Sequence, residues 1–181
     1  MGNRVFAGTL DAALVALDRT SGLLLWETQV ADTMSGYSIT QSPLIVKDKI
    51  IVGVAGGEFG IRGFIDAYDL ETGKRLWRFN TIPGPGEFGN DTWKGDSWMR
   101  GGGSTWLTGT YDAELDTLYW PVGNPGPDID GSGGVDGHDL GILLAAWGGC
   151  TDACASPSDL NADGEIDGAD LALLLSAWTA G

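Results

Sequence analysis

The sequence predicts a mainly β chain, an incomplete propeller of about two and a half blades, followed by a small α-helical module. Three observations carry this. Short apolar runs separated by Gly, Asp and Asn turns fill residues 1–127. A pattern within them recurs 51 positions later. Residues 128–181 hold a second repeat at an offset of 31, in which an acidic loop precedes an apolar stripe of helical spacing.

The β portion follows from runs such as Leu14–Leu17, Leu44–Val46, Ile50–Val54 and Leu118–Trp120. The repeat matches Ala16-Leu-Asp18-Arg-Thr20-Ser-Gly22-Leu-Leu-Leu-Trp26 with Ala67-Tyr-Asp69-Leu-Glu-Thr72-Gly73-Lys-Arg-Leu-Trp77. Its period is the size of a propeller blade. Asp with Ser/Thr-Gly makes a tight turn between two strands, and the Trp is expected to dock against the neighbouring blade. Gly 30 and Trp 8 suit the same picture of tight turns and large aromatic packing. A sheet stack of this kind leaves strand edges open and is expected to be unstable or sticky.

The C-terminal repeat aligns Asp128, Asp130, Ser132, Asp136 and Asp139 with Asp159, Asn161, Asp163, Asp167 and Asp170. Each loop is followed by a stripe, Leu140, Leu143, Leu144, Trp147 and Leu171, Leu174, Leu175, Trp178. The i, i+3, i+4, i+7 spacing predicts one apolar helix face each, packed on one another as a small core. Charge divides the chain at the same place: residues 128–181 carry 10 acids and no Lys or Arg. That argues against nucleic acid or an anionic membrane as partner and suits hard cations. No apolar run reaches the ~20 residues that span a bilayer. No signal peptide is visible, because Met1 runs almost at once into the strand-like Arg4–Gly8, and a start further upstream is expected.

No linker separates the two parts, which divide as residues 1–127 and 128–181 with Asp128 shared. Cys150 and Cys154 lie between the acidic repeats, where a disulfide would staple a small module. Two Cys and the lone, distant His138 are too few for zinc. His138 reads as an exposed loop residue.

Several segments of residues 4–128 carry a resemblance: GTLDAALVALD, GGEFGIRGFIDAYDLETGKRLWRF, TWKGDSWMRGGGSTW and GNPGPD. They are similar to the pyrroloquinoline-quinone (PQQ)-dependent, or quinoprotein, alcohol dehydrogenases. The resemblance implies an eight-bladed propeller of the PQQ type, with the quinone flat in its central funnel. It implies that Trp106 stacks on the quinone and that Thr40, Gly56 and Gly57 line it. It implies that Glu58 and Asn124 ligate a calcium ion (Ca2+) touching the quinone. A small alcohol is the implied substrate, and the implied setting is periplasmic or secreted. The chain departs from the family after Asn124: no residue matches the catalytic Asp expected on a later blade. The adjacent cysteine pair and a C-x-x-C-H haem motif are missing as well.

The acidic repeats resemble dockerin modules and their EF-hand-like loops. That resemblance implies calcium ligands at Asp128, Asp130, Ser132, Asp136 and Asp139 and at Asp159, Asn161, Asp163, Asp167 and Asp170, with Gly164 at the sharp turn. Ser132 is the weaker donor, so the first loop is expected to bind less tightly. A cohesin-like partner is implied, although Gly137-His138 and Gly168-Ala169 depart from the pair dockerins often use. Two functions follow. One is a fragment of an alcohol dehydrogenase, inactive alone. The other is a non-catalytic calcium-binding or tethering protein.

Overall fold

The computed structural model describes residues 2–93, 95–123, 127–130, 135–149, 156–161 and 163–178. The chain forms two compact units. The first comprises Met1–Gly56, Gly63–Thr81 and Ser104–Gly123; the second comprises Gly57–Arg62, Ile82–Gly103 and Asn124–Gly181.

The first unit holds three antiparallel sheets. Strands β1 (Arg4–Gly8), β2 (Ala13–Asp18) and β3 (Leu24–Gln29) form one, in that order. Strands β4 (Leu44–Val46), β5 (Lys49–Gly53), β6 (Phe64–Asp69) and β7 (Arg75–Asn80) form a four-stranded meander. A hairpin of β8 (Thr110–Asp112) and β9 (Thr117–Tyr119) completes the set. Central strands carry the core: Ile50, Ile51, Val52, Phe64, Ile65, Ala67 and Tyr68 are buried.

The 51-residue repeat is a repeat of structure down to its irregularities. Ala16 faces Trp26 and Ala67 faces Trp77, and the register shifts one residue later in both pairs. In one turn Asp18 Oδ1 accepts from the Thr20 and Ser21 amides. In the other Asp69 Oδ1 accepts from the Glu71 and Thr72 amides. Gly22 and Gly73 close the turns at φ of +73° and +69°, where a side chain would be strained. A third such turn lies in β8–β9, where Asp112 Oδ1 accepts from the Glu114 and Leu115 amides and Asp116 takes the left-handed position. Sequence matching missed it because Asp116 replaces the glycine. The expected Trp docking occurs at Trp26, whose ring packs against Gly73.

Within the second sheet Asp66 is fully buried and paired. Arg78 Nε and Nη2 each donate to its carboxylate at 2.7 Å, and the Tyr68 hydroxyl donates at 2.8 Å. Burial, then the Asp66 charge, pushes the Tyr68 hydroxyl far above its ordinary value. Burial is the largest influence on Arg78 and lowers it, but the hydrogen bonds to Asp66 and the Asp66 charge together raise it on balance.

The second unit contains two short helices, α1 (Gly137–Ala145) and α2 (Gly168–Ser176), and a two-stranded ribbon, β10 (Gly148–Gly149) with β11 (Glu165–Ile166). Val135, Leu143, Leu160, Ile166 and Leu174 form its core, with Leu140 and Leu171 against them. The predicted stripes are therefore half right. Leu144, Trp147, Leu175 and Trp178 are 40–51% exposed. The core reaches only the first two positions of each stripe, Leu140 and Leu143 in α1 and Leu171 and Leu174 in α2. Burying Leu143 and Leu174 contributes about 2 kcal/mol each. Cys150 and Cys154, with the disulfide expected of them, lie outside the described residues.

Candidate functional site

Trp106 follows a run of buried small residues, Gly101 to Thr105, and is itself 49% exposed. Thr105 fixes it. This side chain is fully buried; its Oγ1 accepts from the Val54 amide at 2.7 Å and donates to the Phe64 carbonyl at 2.6 Å. Its own amide donates to the Val54 carbonyl at 2.8 Å, and its carbonyl accepts from Trp120 Nε1 at 3.2 Å. Gly53 makes the approach feasible, since a Cβ there would lie 2.2 Å from the Thr105 carbonyl oxygen. Four hydrogen bonds thus anchor the residue before Trp106, which leaves the indole presented on a rigid backbone. Thr40 Oγ1 donates to the Trp106 carbonyl at 3.4 Å, so two of the predicted quinone-facing residues meet in one unit. Gly56 is buried at φ +113°, a conformation that favours glycine. Sequence reasoning missed Thr105; the signal was a lone Thr between a glycine run and a Trp.

Gly57 and Glu58 belong to the other unit, in a 3-10 turn spanning Gly57–Phe59. Glu58 is described there by its backbone, and Asn124 lies outside the described residues. Downstream, Arg62 organises the loops of the same unit. Its Nε donates to the Ile82 carbonyl at 2.9 Å, its Nη2 reaches Glu87 at 3.1 Å, and its guanidinium lies 4.6 Å from the Trp98 ring centre. Gly102 donates its amide to the Ile61 carbonyl, and Gly101 packs where a Cβ would strike Trp93 at 2.5 Å. Arg62 is the second residue that pattern reading passed over, as the one base in a glycine-rich segment.

The acidic loops share the hydrogen-bond frame of their last two acids. Asp139 is fully buried; its Oδ1 accepts from the Ile129 and Asp130 amides and its Oδ2 from the Asp136 amide. Asp170, equally buried, accepts from Leu160, Asn161 and Asp167 in the same way. Asp136 and Asp167 are N-caps, each accepting at 2.7 Å from the amide two residues on, within a reciprocal capping box. In the second loop Asp159 accepts from the Asp163 and Gly164 amides, and Asn161 from the Asp163 amide, with Gly164 at φ +90°. Backbone amides thus hold the Asp139 and Asp170 carboxylates inside their loops.

In the first loop Asp128, Asp130 and Asp139 bring carboxylate oxygens within 4.8 Å of one another. Three carboxylates so close repel one another without a cation, which is the donor set a hard divalent ion prefers. Ser132 lies outside the described residues. His138 is exposed as expected, but it stands in the first turn of α1 and its Nδ1 lies 2.7 Å from Asp130 Oδ2.

Two Asp-turn hairpins with Trp on the outer strand, followed by a third Asp-turn hairpin, give the first unit the pattern of successive propeller blades. The family described as "PQQ: Glucose/ethanol/alcohol dehydrogenase, beta-propeller domain" matches residues 1–139, and the chain belongs to it. The quinohemoprotein alcohol dehydrogenase ADH IIB of Pseudomonas putida is 42% identical over 158 residues, covering 80% of this chain and 23% of the relative. A lanthanide-dependent methanol dehydrogenase of Methylacidiphilum fumariolicum is 42% identical over 142 residues, 68% of this chain and 23% of the relative. Among solved structures, a europium-containing methanol dehydrogenase superposes with a TM-score of 0.64 at 40% identity, over 69% of this chain and 25% of that one. The quinohemoprotein alcohol dehydrogenase of Comamonas testosteroni gives 0.61 at 36% identity, over 70% and 21%. The chain spans about a quarter of the length of these relatives. Among the described residues no helix is long and apolar enough to cross a membrane.

Proposed function

We propose that this chain is the cofactor-facing portion of a PQQ-dependent alcohol dehydrogenase, joined from Asp128 to a dockerin-like pair of calcium loops. The observation that carries the reading is Trp106: a half-exposed indole on an anchored backbone, beside Thr40, in a chain of the quinoprotein family. An exposed indole face of this kind gives broad dispersion contact to a flat quinone. Trp106, Thr40, Gly56 and Gly57 would hold the quinone, and Glu58 and Asn124 would ligate its calcium ion. When bound, the quinone supplies the hydride acceptor for an alcohol. The residues of this chain bind and orient it. The chain's relatives, an alcohol dehydrogenase and a methanol dehydrogenase, point to alcohols as the substrate class.

The chain contributes no residue in the place of the family's catalytic Asp. We therefore assign it binding without turnover when it stands alone. The acidic loops bind calcium through Asp128, Asp130, Ser132, Asp136 and Asp139 and through Asp159, Asn161, Asp163, Asp167 and Asp170. A periplasmic or secreted setting, where free calcium and quinone are both met, suits both parts. The second reading, a calcium-stiffened tether with a cohesin-like partner, is favoured by one observation, the matching amide-to-carboxylate frame of the two loops. Equilibrium dialysis with PQQ and calcium, followed by a dye-linked assay with ethanol, tests the proposal. Retention of one equivalent of quinone with no dye reduction supports it. No retention leaves the tether alone, and steady dye reduction refutes the assignment of inactivity.

A further inference from the structure

We infer, on the reading that Trp106, Thr40 and Gly56 face the quinone, that Arg78 is a positioning residue for that site: held by the buried Asp66, it sets Phe64, and through Phe64 the backbone that presents Trp106. All of these residues lie in the first unit.

Phe64 is where the three quinone-facing stretches meet. Its carbonyl accepts from the Thr105 hydroxyl at 2.6 Å, one residue before Trp106. Its ring, 2% exposed, has its centre 5.7 Å from that of Tyr37, just ahead of Thr40. The next residue, Ser38, exchanges both backbone hydrogen bonds with Ala55, which precedes Gly56. A displaced Phe64 therefore disturbs the seating of Trp106, Thr40 and Gly56 together.

Arg78 fixes Phe64 from one side. Its Cζ stands 3.4 Å over the centre of the Phe64 ring, a separation that a planar group reaches by lying on the ring. The guanidinium is itself tied down: Nε and Nη2 each donate to the Asp66 carboxylate at 2.7 Å, and Nη2 also donates to the Val30 carbonyl at 3.1 Å. Asp66 stands directly opposite Arg78 in the β6–β7 register and two residues from Phe64, so all three share one face of the sheet. A fully buried carboxylate is an expensive way to hold two strands that already share a ladder, since a well-packed apolar pair serves stability as well or better. What the ion pair adds is a flat plate of fixed orientation, and the residue lying on that plate is Phe64.

The test uses the full chain with Arg78→Lys, Phe64→Leu, their double variant, and Gly73→Ala as a destabilised control outside the cluster. Arg78→Lys leaves Asp66 a cation but removes the plate and the paired hydrogen bonds. Phe64→Leu attacks the same link from the other side and leaves the ion pair intact. Circular dichroism checks that each variant folds. Two quantities are read: quinone affinity, from tryptophan quenching by PQQ in saturating calcium, and hydrogen exchange at the Val54 amide without quinone. Each single variant should weaken quinone binding about tenfold, and the double variant no more than the worse single one, because both changes act through one residue. Exchange at Val54 should quicken about tenfold in both. Gly73→Ala should unfold at a lower temperature yet keep wild-type affinity and Val54 protection.

Wild-type affinity in Arg78→Lys, a loss of about a hundredfold in the double variant, or an equal loss in Gly73→Ala would each overturn the inference. A wild type that binds no quinone refutes the quinone reading separately, and Val54 exchange then decides the role of Arg78. Faster exchange in Arg78→Lys and Phe64→Leu, and not in Gly73→Ala, supports the link; unchanged exchange overturns it.

Discussion

Replacing Thr105 by Val is the sharpest single probe of how the fold presents Trp106. The two side chains have nearly the same shape, so packing at this fully buried position is kept. What is lost is the hydroxyl. The Val54 amide loses its acceptor at 2.7 Å and the Phe64 carbonyl its donor at 2.6 Å, both in a site closed to water. Each buried group left without a partner costs about 1–3 kcal/mol, so the pair costs roughly 2–6 kcal/mol. Thr105→Ser keeps both hydrogen bonds and loses one methyl, about 0.8 kcal/mol. Urea denaturation measures the totals, and hydrogen exchange at the Val54 amide reads the broken bond directly. The Val variant should exchange there far faster than the Ser variant and bind quinone more weakly. A Val variant within about 0.5 kcal/mol of the wild type, with a protected Val54 amide, would refute the claim that this hydroxyl anchors the site.

Gly73→Ala should lower stability by about 1–3 kcal/mol, because its Cβ enters the Trp26 ring at a φ of +69°; thermal unfolding by circular dichroism checks this. The Thr72 hydroxyl, then its amide, hold the Asp69 carboxyl below its ordinary value. A depressed folded value means a stabilising contribution present above the unfolded value of about 4 and lost as pH falls through the folded one. The melting-temperature gap between wild type and Asp69→Asn should therefore shrink below about pH 4, and a gap that widens there contradicts the assignment. Without quinone, calorimetry should find two calcium ions in the acidic loops, the tighter one lost in Asp163→Ala and both released by chelator, with a matching change in near-ultraviolet dichroism from Trp147 and Trp178.

The repeats were legible because they are written in residue types with narrow conformational roles. Asp and Gly at fixed spacing encode a turn, and Trp26 announces its packing on the next turn. The third turn was hidden because Asp116 takes the left-handed position that the pattern reserves for glycine. The buried Asp66–Arg78–Tyr68 cluster was equally silent, since its members are ordinary strand residues until the register between β6 and β7 brings them together. Helical spacing located α1 and α2 but overstated their buried faces, because spacing says which residues share a face and not how far the neighbouring layer extends. Trp106 and Thr40 were found by resemblance, whereas their connection through Thr105 and Val54 depends on contacts some 50 residues apart in sequence, which no local pattern carries.

The measurement that bears most directly on the central claim is a titration of the full chain with PQQ in saturating calcium, following tryptophan fluorescence in wild type and Trp106→Ala. The account predicts saturable quenching in the wild type, loss of most of it in Trp106→Ala, and partial recovery in Trp106→Phe. Equal quenching in wild type and Trp106→Ala, or none in either while calcium still binds the acidic loops, would contradict it.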